Sequence, residues 1–272
     1  MKENRTLGFV GAGNMATALI KGLLESGLYT PEQLWASDRD TEARDRMSDQ
    51  FGIRITESNS EVLRRNATVL FAVKPQIMME VLAEVKADVR ADHLFISIAA
   101  GTPLEKIRAA IDRDIPMIRV MPNTPALIQK GISALARGPL ATSAHFETAR
   151  SILNAVGDTV EVDEALMDAV TALSGSGPGY VFRFMECMAE AGAAVGLERE
   201  TALGLVIQTF VGAAHLAKES DRSLAELREM VTSPGGTTAA GLTVFNNMGL
   251  EKMVTKAIKA ACDRAVELGK TG

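Results

Sequence analysis

Leu7-Gly-Phe-Val-Gly-Ala-Gly-Asn-Met-Ala16 decides the fold of this 272-residue chain. A short apolar run, Leu7 to Val10, leads into Gly11-x-Gly13-x-x-Ala16. Ala18, Leu19, Ile20, Leu23 and Leu24 then follow at helical spacing. A strand that turns sharply into a helix needs a residue without Cβ at the turn, and Gly11 supplies one. Gly13 lets a ligand approach the backbone, and Ala16 keeps the helix close to the strand. The helix start presents free N–H groups and the positive end of a dipole, which suits a pyrophosphate. The glycine spacing alone also fits an empty turn. Its place between a strand and a helix reads as a dinucleotide-binding unit.

Working outward, strand-like runs at 34–36, 69–73, 94–98 and 117–120 alternate with helical patterns such as 76–85 and 103–111. Alternation of this kind means a parallel sheet covered by helices. Gly131–Arg137 and 159–162 read as further strands around a helix over 143–156. Beyond residue 163 the strand signals stop. Helices are expected over 164–173, 180–195, 199–217, 224–231, 239–247 and 250–268, broken by Ser174-Gly-Ser-Gly-Pro-Gly179 and by a second glycine loop. The fold class is therefore α/β: a Rossmann-like doubly wound sheet over 1–162, then an all-α domain over 163–272.

The formal net charge of −5 and the lack of a basic run argue against nucleic acid or an anionic membrane surface as partner. Cys187 and Cys262 have no metal-type spacing, so no metal site is expected. Both sit in apolar helical patterns and read as buried free thiols in a reducing, cytoplasmic setting. Met1 to Arg5 lead straight into the first strand, with no targeting segment expected. The stretch 201–217 comes closest to a membrane span. It is short, carries Gln208 and His215 and is flanked by charges. A helix apolar nearly all round fits an oligomer interface, because the last third has too little sequence to wrap all its helices.

In a doubly wound fold, ligands bind beyond the carboxyl ends of the strands. Ala72-Val73-Lys74-Pro75 ends one strand, and Lys74 either nears phosphate or nicotinamide or is simply solvated. Ser97-Ile98-Ala99-Ala100-Gly101 ends the next, with small residues that admit a flat ring. In Met121-Pro-Asn-Thr-Pro125 two prolines stiffen the loop. There Asn123 either orients a carboxamide or substrate, or caps the turn. Ser37-Asp38-Arg39 ends the second strand. An acid there favours NAD through the ribose 2′-hydroxyl, an arginine accommodates the NADP phosphate, and this chain has both.

The second glycine loop is Val231-Thr-Ser-Pro-Gly-Gly-Thr-Thr238. Gly235 and Gly236 permit positive φ, so backbone N–H groups can converge on an anion, with hydroxyls of Thr232, Ser233, Thr237 and Thr238 around it. That suits a small carboxylate. His93, His145 and His215 fall in none of these loops. A reductase of unactivated ketones needs a positioned acid, whereas a protonated imine needs only hydride. Glu186 and Glu190 share a helix face and read either as a binding pair or as ordinary solvated charges.

Taken in order, Gly8 to Ala16, Val73-Lys-Pro75, Met121-Pro-Asn-Thr-Pro-Ala126, Leu173-Ser-Gly-Ser-Gly-Pro178 and Thr232-Ser-Pro-Gly-Gly-Thr-Thr238 resemble the motifs of the pyrroline-5-carboxylate reductase family. The resemblance covers nearly the whole chain. It implies a Rossmann domain followed by a helical dimerisation domain, homodimers through the C-terminal helices and larger rings built from them. It implies an active site where one chain's cofactor domain meets the partner's helices. It implies NAD(P)H-dependent reduction of L-1-pyrroline-5-carboxylate to L-proline, the final step of proline biosynthesis, with NADPH first and NADH second. Carried over, Gly11, Gly13, Asn14 and Met15 hold the pyrophosphate. Ser37, Arg39 and Asn59 lie on the adenosine side. Ala72 to Pro75 and Ala99 to Gly101 flank the nicotinamide, and Asn123 touches nicotinamide or substrate. Ser233, Gly235, Gly236, Thr237 and Thr238 seat the substrate carboxylate, with the Thr238 hydroxyl beside the ring nitrogen as the catalytic contact. Glu219 resembles an acid beside the pocket. Asp38 next to Arg39 departs from the simple NADPH pattern.

Other readings are a relative acting on a six-membered imino acid, a β-hydroxyacid enzyme, or a non-enzymatic dinucleotide sensor. The second usually needs a lysine on the helix after the sheet, and 180–195 has none. The third would be expected to lose the loop hydroxyls that this chain keeps.

Overall fold

The computed structural model describes residues 6–271. The N-terminal pentapeptide, with the expectation about targeting attached to it, lies outside them. The chain forms two compact units. The first contains residues 6–176 together with 261–271, and the second is Gly177–Ala260.

The first unit carries an eight-stranded sheet. Its strands are β1 (Leu7–Val10), β2 (Leu34–Ser37), β3 (Arg54–Thr56), β4 (Thr68–Phe71), β5 (Leu94–Ser97), β6 (Met117–Met121), β7 (Gly131–Arg137) and β8 (Gly157–Glu161). Their order is β3-β2-β1-β4-β5-β6-β7-β8. All neighbours pair in parallel except β6 and β7, which are antiparallel, with Val120 opposite Leu135. The order reverses between β2 and β4, on either side of β1, so the crevice of the doubly wound unit opens at the end of β1.

Helices α1 (Asn14–Glu25), α2 (Thr41–Phe51) and α6 (Ser143–Asn154) belong to one apolar layer; α3 (Asn59–Arg65), α4 (Pro75–Val85) and α5 (Leu104–Ile111) belong to the other. Side chains alternate across a strand. Leu7 and Phe9 therefore join Leu19, Ile20 and Leu23 on the first face, whereas Val10 joins Val62, Phe71 and Met78 on the second. Each fully buried Leu or Ile contributes about 1.5–3 kcal/mol. Gly8 is glycine because a Cβ there would overlap Val62 and Asn66, so α3 packs directly on β1. Side-chain caps start three of these helices: Asp40 accepts the Glu42 N–H, Ser58 that of Glu61 and Thr142 that of His145.

The segment expected as one helix over 164–173 is irregular. A 3₁₀ turn at Glu164–Leu166 leads to the single turn α7 (Met167–Val170) and then to a π turn, Thr171–Gly175. The glycine-rich stretch after it is not an open loop. The π turn runs almost directly into α8 (Gly177–Ala194). Gly175 packs against the end of the Met121 side chain, which would have to shift to admit a Cβ.

The second unit continues with α9 (Arg199–Glu219), α10 (Leu224–Met230), α11 (Thr237–Asn247) and the start of α12 (Leu250–Thr271). Phe184 of α8 meets Phe210 of α9 and Phe245 of α11, with ring centroids 6.1 and 6.2 Å apart. Much of its apolar surface is uncovered within the chain; Phe182, Val244 and Met248 are 59, 60 and 81% exposed. The 21-residue α9 is longer than the pattern suggested and is, among the described residues, long and apolar enough to span a bilayer by length and composition. Length thus does not argue against a span, and the polar Gln208 and His215 still do. The cysteines are free but not buried in this chain: Cys187 is exposed and Cys262 half-buried. Apolar neighbours in sequence had indicated a core, whereas the helix faces concerned are uncovered.

Candidate active site

The fingerprint loop sits where β1 meets α1. Gly11 has φ +101, and a Cβ on it would stand 2.9 Å from the carbonyl carbon and oxygen of Ala72. Glycine is therefore required there by conformation and by space. Its N–H donates to the Ser37 carbonyl at 2.8 Å, and the Ala72 N–H donates to the Val10 carbonyl at 2.8 Å. These bonds draw the ends of β1, β2 and β4 into one edge. Gly13 differs: it is the exposed N-cap of α1, in ordinary extended backbone, and a Cβ there would meet nothing within 4 Å. Among the described residues nothing comes within 4 Å of a Cβ placed at Gly13, and in the first turn of α1 that follows Asn14 is exposed and Met15 half-buried. A diphosphate placed there faces the helix N-terminus with no side chain in its way. The residues present thus fit a dinucleotide.

The end of β2 resolves the Asp38–Arg39 ambiguity as a geometric matter. Asp38 turns toward the glycine loop: its carboxylate accepts the Ala12 N–H at 2.8 Å and the Asp40 N–H at 2.9 Å. Arg39 turns outward, and its guanidinium donates to Glu80 at 2.8 Å and Glu84 at 3.3 Å, both on α4. The Glu80 hydrogen bond and charge, followed by those of Glu84, raise the Arg39 guanidinium further above its already high value. Ser37 is fully buried; its hydroxyl donates to Asn59 Oδ1 at 2.7 Å, and Asn59 Nδ2 donates to Glu84 at 3.1 Å. Ser37, Asn59 and Arg39 are thereby joined through Glu84, while Glu80 holds Arg39 alone; neither acid stands out in the sequence. Arg44, also missed, closes the turn by donating to the carbonyls of Asp38 at 2.7 Å and Arg39 at 3.1 Å. A small cavity of about 80 Å³ opens here, lined by Gly11, Ser37, Asp38, Arg39, Asn59 and Glu80 among others. Ligand pockets usually measure roughly 300–1,000 Å³, so this one takes an edge of a ligand.

The loops after β4, β5 and β6 supply the rest of that edge. Lys74 is the exposed N-cap of α4, with Pro75 as its first residue, and Val73 lies against the Gly11 turn. Ala99 is buried, its N–H donating to Ser97 Oγ at 3.3 Å, while Ala100 and Gly101 are half-exposed. Gly101 has φ +68 and lies 3.5 Å, measured from an added Cβ, from the Gly269 nitrogen near the end of α12. Asn123 is tied on both sides. Its Oδ1 accepts the Ile132 N–H at 3.0 Å and its Nδ2 donates to the Ser174 carbonyl at 3.3 Å. It makes no side-chain cap to the turn that follows, so the capping alternative is not realised.

In the second unit, the 232–238 loop is the lead-in to α11. Gly235 has φ +72, but Gly236 does not share the expected positive φ: it is the extended N-cap at φ −78. Glycine is needed at 236 for another reason, since a Cβ would overlap Ser233 Oγ. The helix starts at Thr237, two residues earlier than the pattern indicated. Thr237 and Thr238 therefore stand in its first turn, exposed, beside backbone N–H groups that have no intrahelical acceptor. Ser233 is exposed at the start of the turn that precedes the helix, its carbonyl accepting the Gly236 N–H at 3.0 Å. Glu219 ends α9, exposed, 3.9 Å from His215 one turn earlier. Glu186 pairs with Arg183 at 3.0 Å, the ordinary surface alternative. Among the described residues no cluster of His, Cys, Asp and Glu could hold a metal.

A doubly wound sheet with this phosphate loop, followed by an apolar helical unit, defines a nicotinamide-dinucleotide oxidoreductase built to self-associate. Residues 6–101 match the family model described as NADP oxidoreductase, coenzyme F420-dependent, and residues 164–268 match pyrroline-5-carboxylate reductase dimerisation. This chain belongs to the pyrroline-5-carboxylate reductase family. It is 43% identical to the pyrroline-5-carboxylate reductase of Pseudomonas aeruginosa, over 97% of each chain. Its fold matches the solved structure of such a reductase from Coxiella burnetii with a TM-score of 0.93, at 35% identity and over 98 and 99% of the two chains. The Plasmodium falciparum pyrroline carboxylate reductase, solved with NADP bound, matches with a TM-score of 0.88 at 32% identity over 98 and 99%.

Proposed function

We infer that this chain reduces L-1-pyrroline-5-carboxylate to L-proline with NADPH, and with NADH as second cofactor. The observation that carries the reading is the Thr232–Thr238 lead-in to α11, with Gly236 as N-cap and two threonines in the first helical turn. It is an anion seat with hydroxyl donors and no strong acid or base. Full-length likeness to the family supports the same substrate.

The bound reduced dinucleotide supplies a hydride to the C5 carbon of the ring C=N bond; the protonated imine nitrogen keeps its proton, and the product is a secondary amine. The chain's part is orientation and electrostatics. Gly11, Gly13, Asn14 and Met15 form the diphosphate cradle. Arg39 receives the adenosine end, with Ser37 and Asn59 fixing the floor beneath it. Ala72, Val73, Lys74 and Pro75, with Ala99, Ala100 and Gly101, border the nicotinamide. Asn123, held by its two bonds, offers its remaining N–H to the carboxamide or substrate. Ser233, Gly235, Gly236, Thr237 and Thr238 seat the carboxylate, the Thr238 hydroxyl contacts the ring nitrogen, and Glu219 borders the pocket. The functional division follows the strand content, 1–162 for the cofactor and 163–272 for substrate and self-association. The homodimer forms through the C-terminal helices, which buries Phe182 and Met248. The free thiols support a cytoplasmic location.

The test is the initial rate of NADPH and NADH oxidation with pyrroline-5-carboxylate, with proline identified as product, in the wild type and in Thr238→Ala. One buried hydrogen bond made in the transition state is worth about 1–3 kcal/mol, so turnover should fall roughly 5- to 150-fold. Cofactor affinity should stay close to wild type. Unchanged turnover in Thr238→Ala would remove that residue's role. No oxidation despite cofactor binding would redirect the loop to another substrate, first a six-membered cyclic imino acid.

A further inference from the structure

The cluster at the end of β2 contains a carboxylate that the fingerprint does not explain. Glu84 has a structural task, since it accepts from both Asn59 Nδ2 and Arg39 Nη2 and is only 34% exposed. Glu80 is different. Its Oε1 takes Arg39 Nη1 at 2.8 Å, and both side chains are well exposed, at 60 and 68%. It also lines the cavity beside Gly11 and Asp38. The guanidinium that would meet a phosphate on the adenosine ribose is thus already engaged by an acid that can let go.

We propose that Glu80 sets the balance between NADPH and NADH by competing with the cofactor's 2′-phosphate for the Arg39 guanidinium. The proposal rests on the reading of the first unit as the dinucleotide site. A 2′-phosphate must take Nη1 from Glu80 and then sits beside that carboxylate. A 2′-hydroxyl does not need the guanidinium and carries no charge to be repelled. The ion pair therefore acts against one cofactor only. Exposed pairs are weak, so the effect is a bias and not a block. Glu84 keeps its second partner, Asn59, and continues to orient Nη2 when Nη1 changes hands. Asp38 stays out of the exchange because backbone N–H groups hold its carboxylate. Glu80 is in this sense a positioning and selectivity residue, with no part in the transfer itself.

The experiment measures dissociation constants of NADPH and NADH for the full chain by nicotinamide fluorescence, in wild type, Glu80→Gln, Glu80→Ala, Arg39→Met and the Glu80→Gln/Arg39→Met double variant. Glu80→Gln should raise the preference for NADPH over NADH about two- to fivefold, the range of an exposed ion pair. The gain should shrink in high salt, which screens exposed charges. In steady state it should appear in the KM for NADPH with kcat unmoved. In the Arg39→Met background the same change should give no such gain. An unchanged cofactor ratio in both Glu80→Gln and Glu80→Ala would overturn the proposal. So would an equal rise with Arg39 absent, which would make Glu80 a general repeller. A wild-type chain that binds neither dinucleotide would instead overturn the reading of the site, and this proposal with it.

Discussion

Replacing Gly13 by alanine should separate folding from cofactor binding, which the same change at Gly11 cannot do. At Gly13 the backbone lies at φ −75, ψ −176, and an added Cβ meets no heavy atom within 4 Å. Restricting the unfolded chain favours alanine by about 0.4–1 kcal/mol. Exchanging glycine for alanine at a helix N-cap costs about 0.5–1 kcal/mol. The two nearly cancel, so stability should stay within about 1 kcal/mol of wild type. At Gly11 the backbone has φ +101 and the new Cβ would stand 2.9 Å from Ala72 main-chain atoms. Strain of about 1–3 kcal/mol adds to overpacking of about 1–3 kcal/mol. At about 2–4 °C per kcal/mol for a chain of this size, Gly11→Ala should melt at least about 4 °C below wild type and Gly13→Ala within about 4 °C of it. Binding should rank differently. The Gly13 methyl enters the space through which the diphosphate reaches the α1 backbone, so NADPH affinity should drop at least about tenfold, or about 1.4 kcal/mol. Thermal melting and NADPH titration of the two variants decide the matter. Wild-type NADPH affinity in Gly13→Ala would refute the argument, as would a loss of stability matching that of Gly11→Ala.

His93 is buried; its Nδ1 accepts the Arg90 N–H at 2.9 Å and its Nε2 faces the Leu63 carbonyl at 3.0 Å, which places the proton of the neutral ring on Nε2. Burial pushes the imidazole below its ordinary 6.5, against the upward pull of the Leu63 carbonyl. The folded state thus binds this proton less readily than the unfolded chain, so its contribution is complete above about pH 6.5 and is lost as pH falls from there through the folded value. Urea midpoints between pH 7 and 5 should fall less in His93→Gln than in wild type; parallel profiles would show that His93 is not the source. For self-association, Phe182→Lys or Met248→Lys places a charge on an apolar side chain that one chain leaves uncovered. A symmetric interface contains each change twice. At about 1.5–3 kcal/mol per apolar side chain, the dimer dissociation constant should rise at least about a hundredfold by sedimentation equilibrium. Unchanged mass at micromolar concentration in both variants would move the interface elsewhere.

Much of the sheet is legible in the sequence because its central strands are continuous apolar runs punctuated by glycine and proline. β1 and β7 are read to the residue, and β2, β5 and β6 to within one. β3 is missed because Arg54-Ile-Thr56 is three residues long and half-exposed, too short for any period to show. The reversed direction of β7 is not legible, since alternation is the same for parallel and antiparallel partners. Within the site, the residues supplied by glycine and proline loops announce themselves through turn chemistry. Glu80 and Glu84 do not. They lie on an ordinary amphipathic helix and matter only because α4 passes the end of β2, a contact across 41 and 45 residues of chain. The free thiols mislead in the opposite way: an apolar helix face predicts burial whether its cover comes from the same chain or from another copy.

The composition of the first unit has a consequence for its biosynthesis. Residues 261–271, at the end of α12, are counted with it, and there Lys106 Nζ donates to the Lys270 carbonyl at 3.4 Å. At about 5–20 residues per second, the roughly 95 residues from 177 to 271 take about 5–20 s to synthesise. The sheet emerges from the ribosome first but stays without its last structural element for all of that time. Its parallel pairings are already slow to form and expose apolar edges meanwhile. A nascent chain stalled anywhere in the helical region is therefore a chain with an unfinished sheet unit, and chaperones that bind nascent polypeptides should hold it longest there.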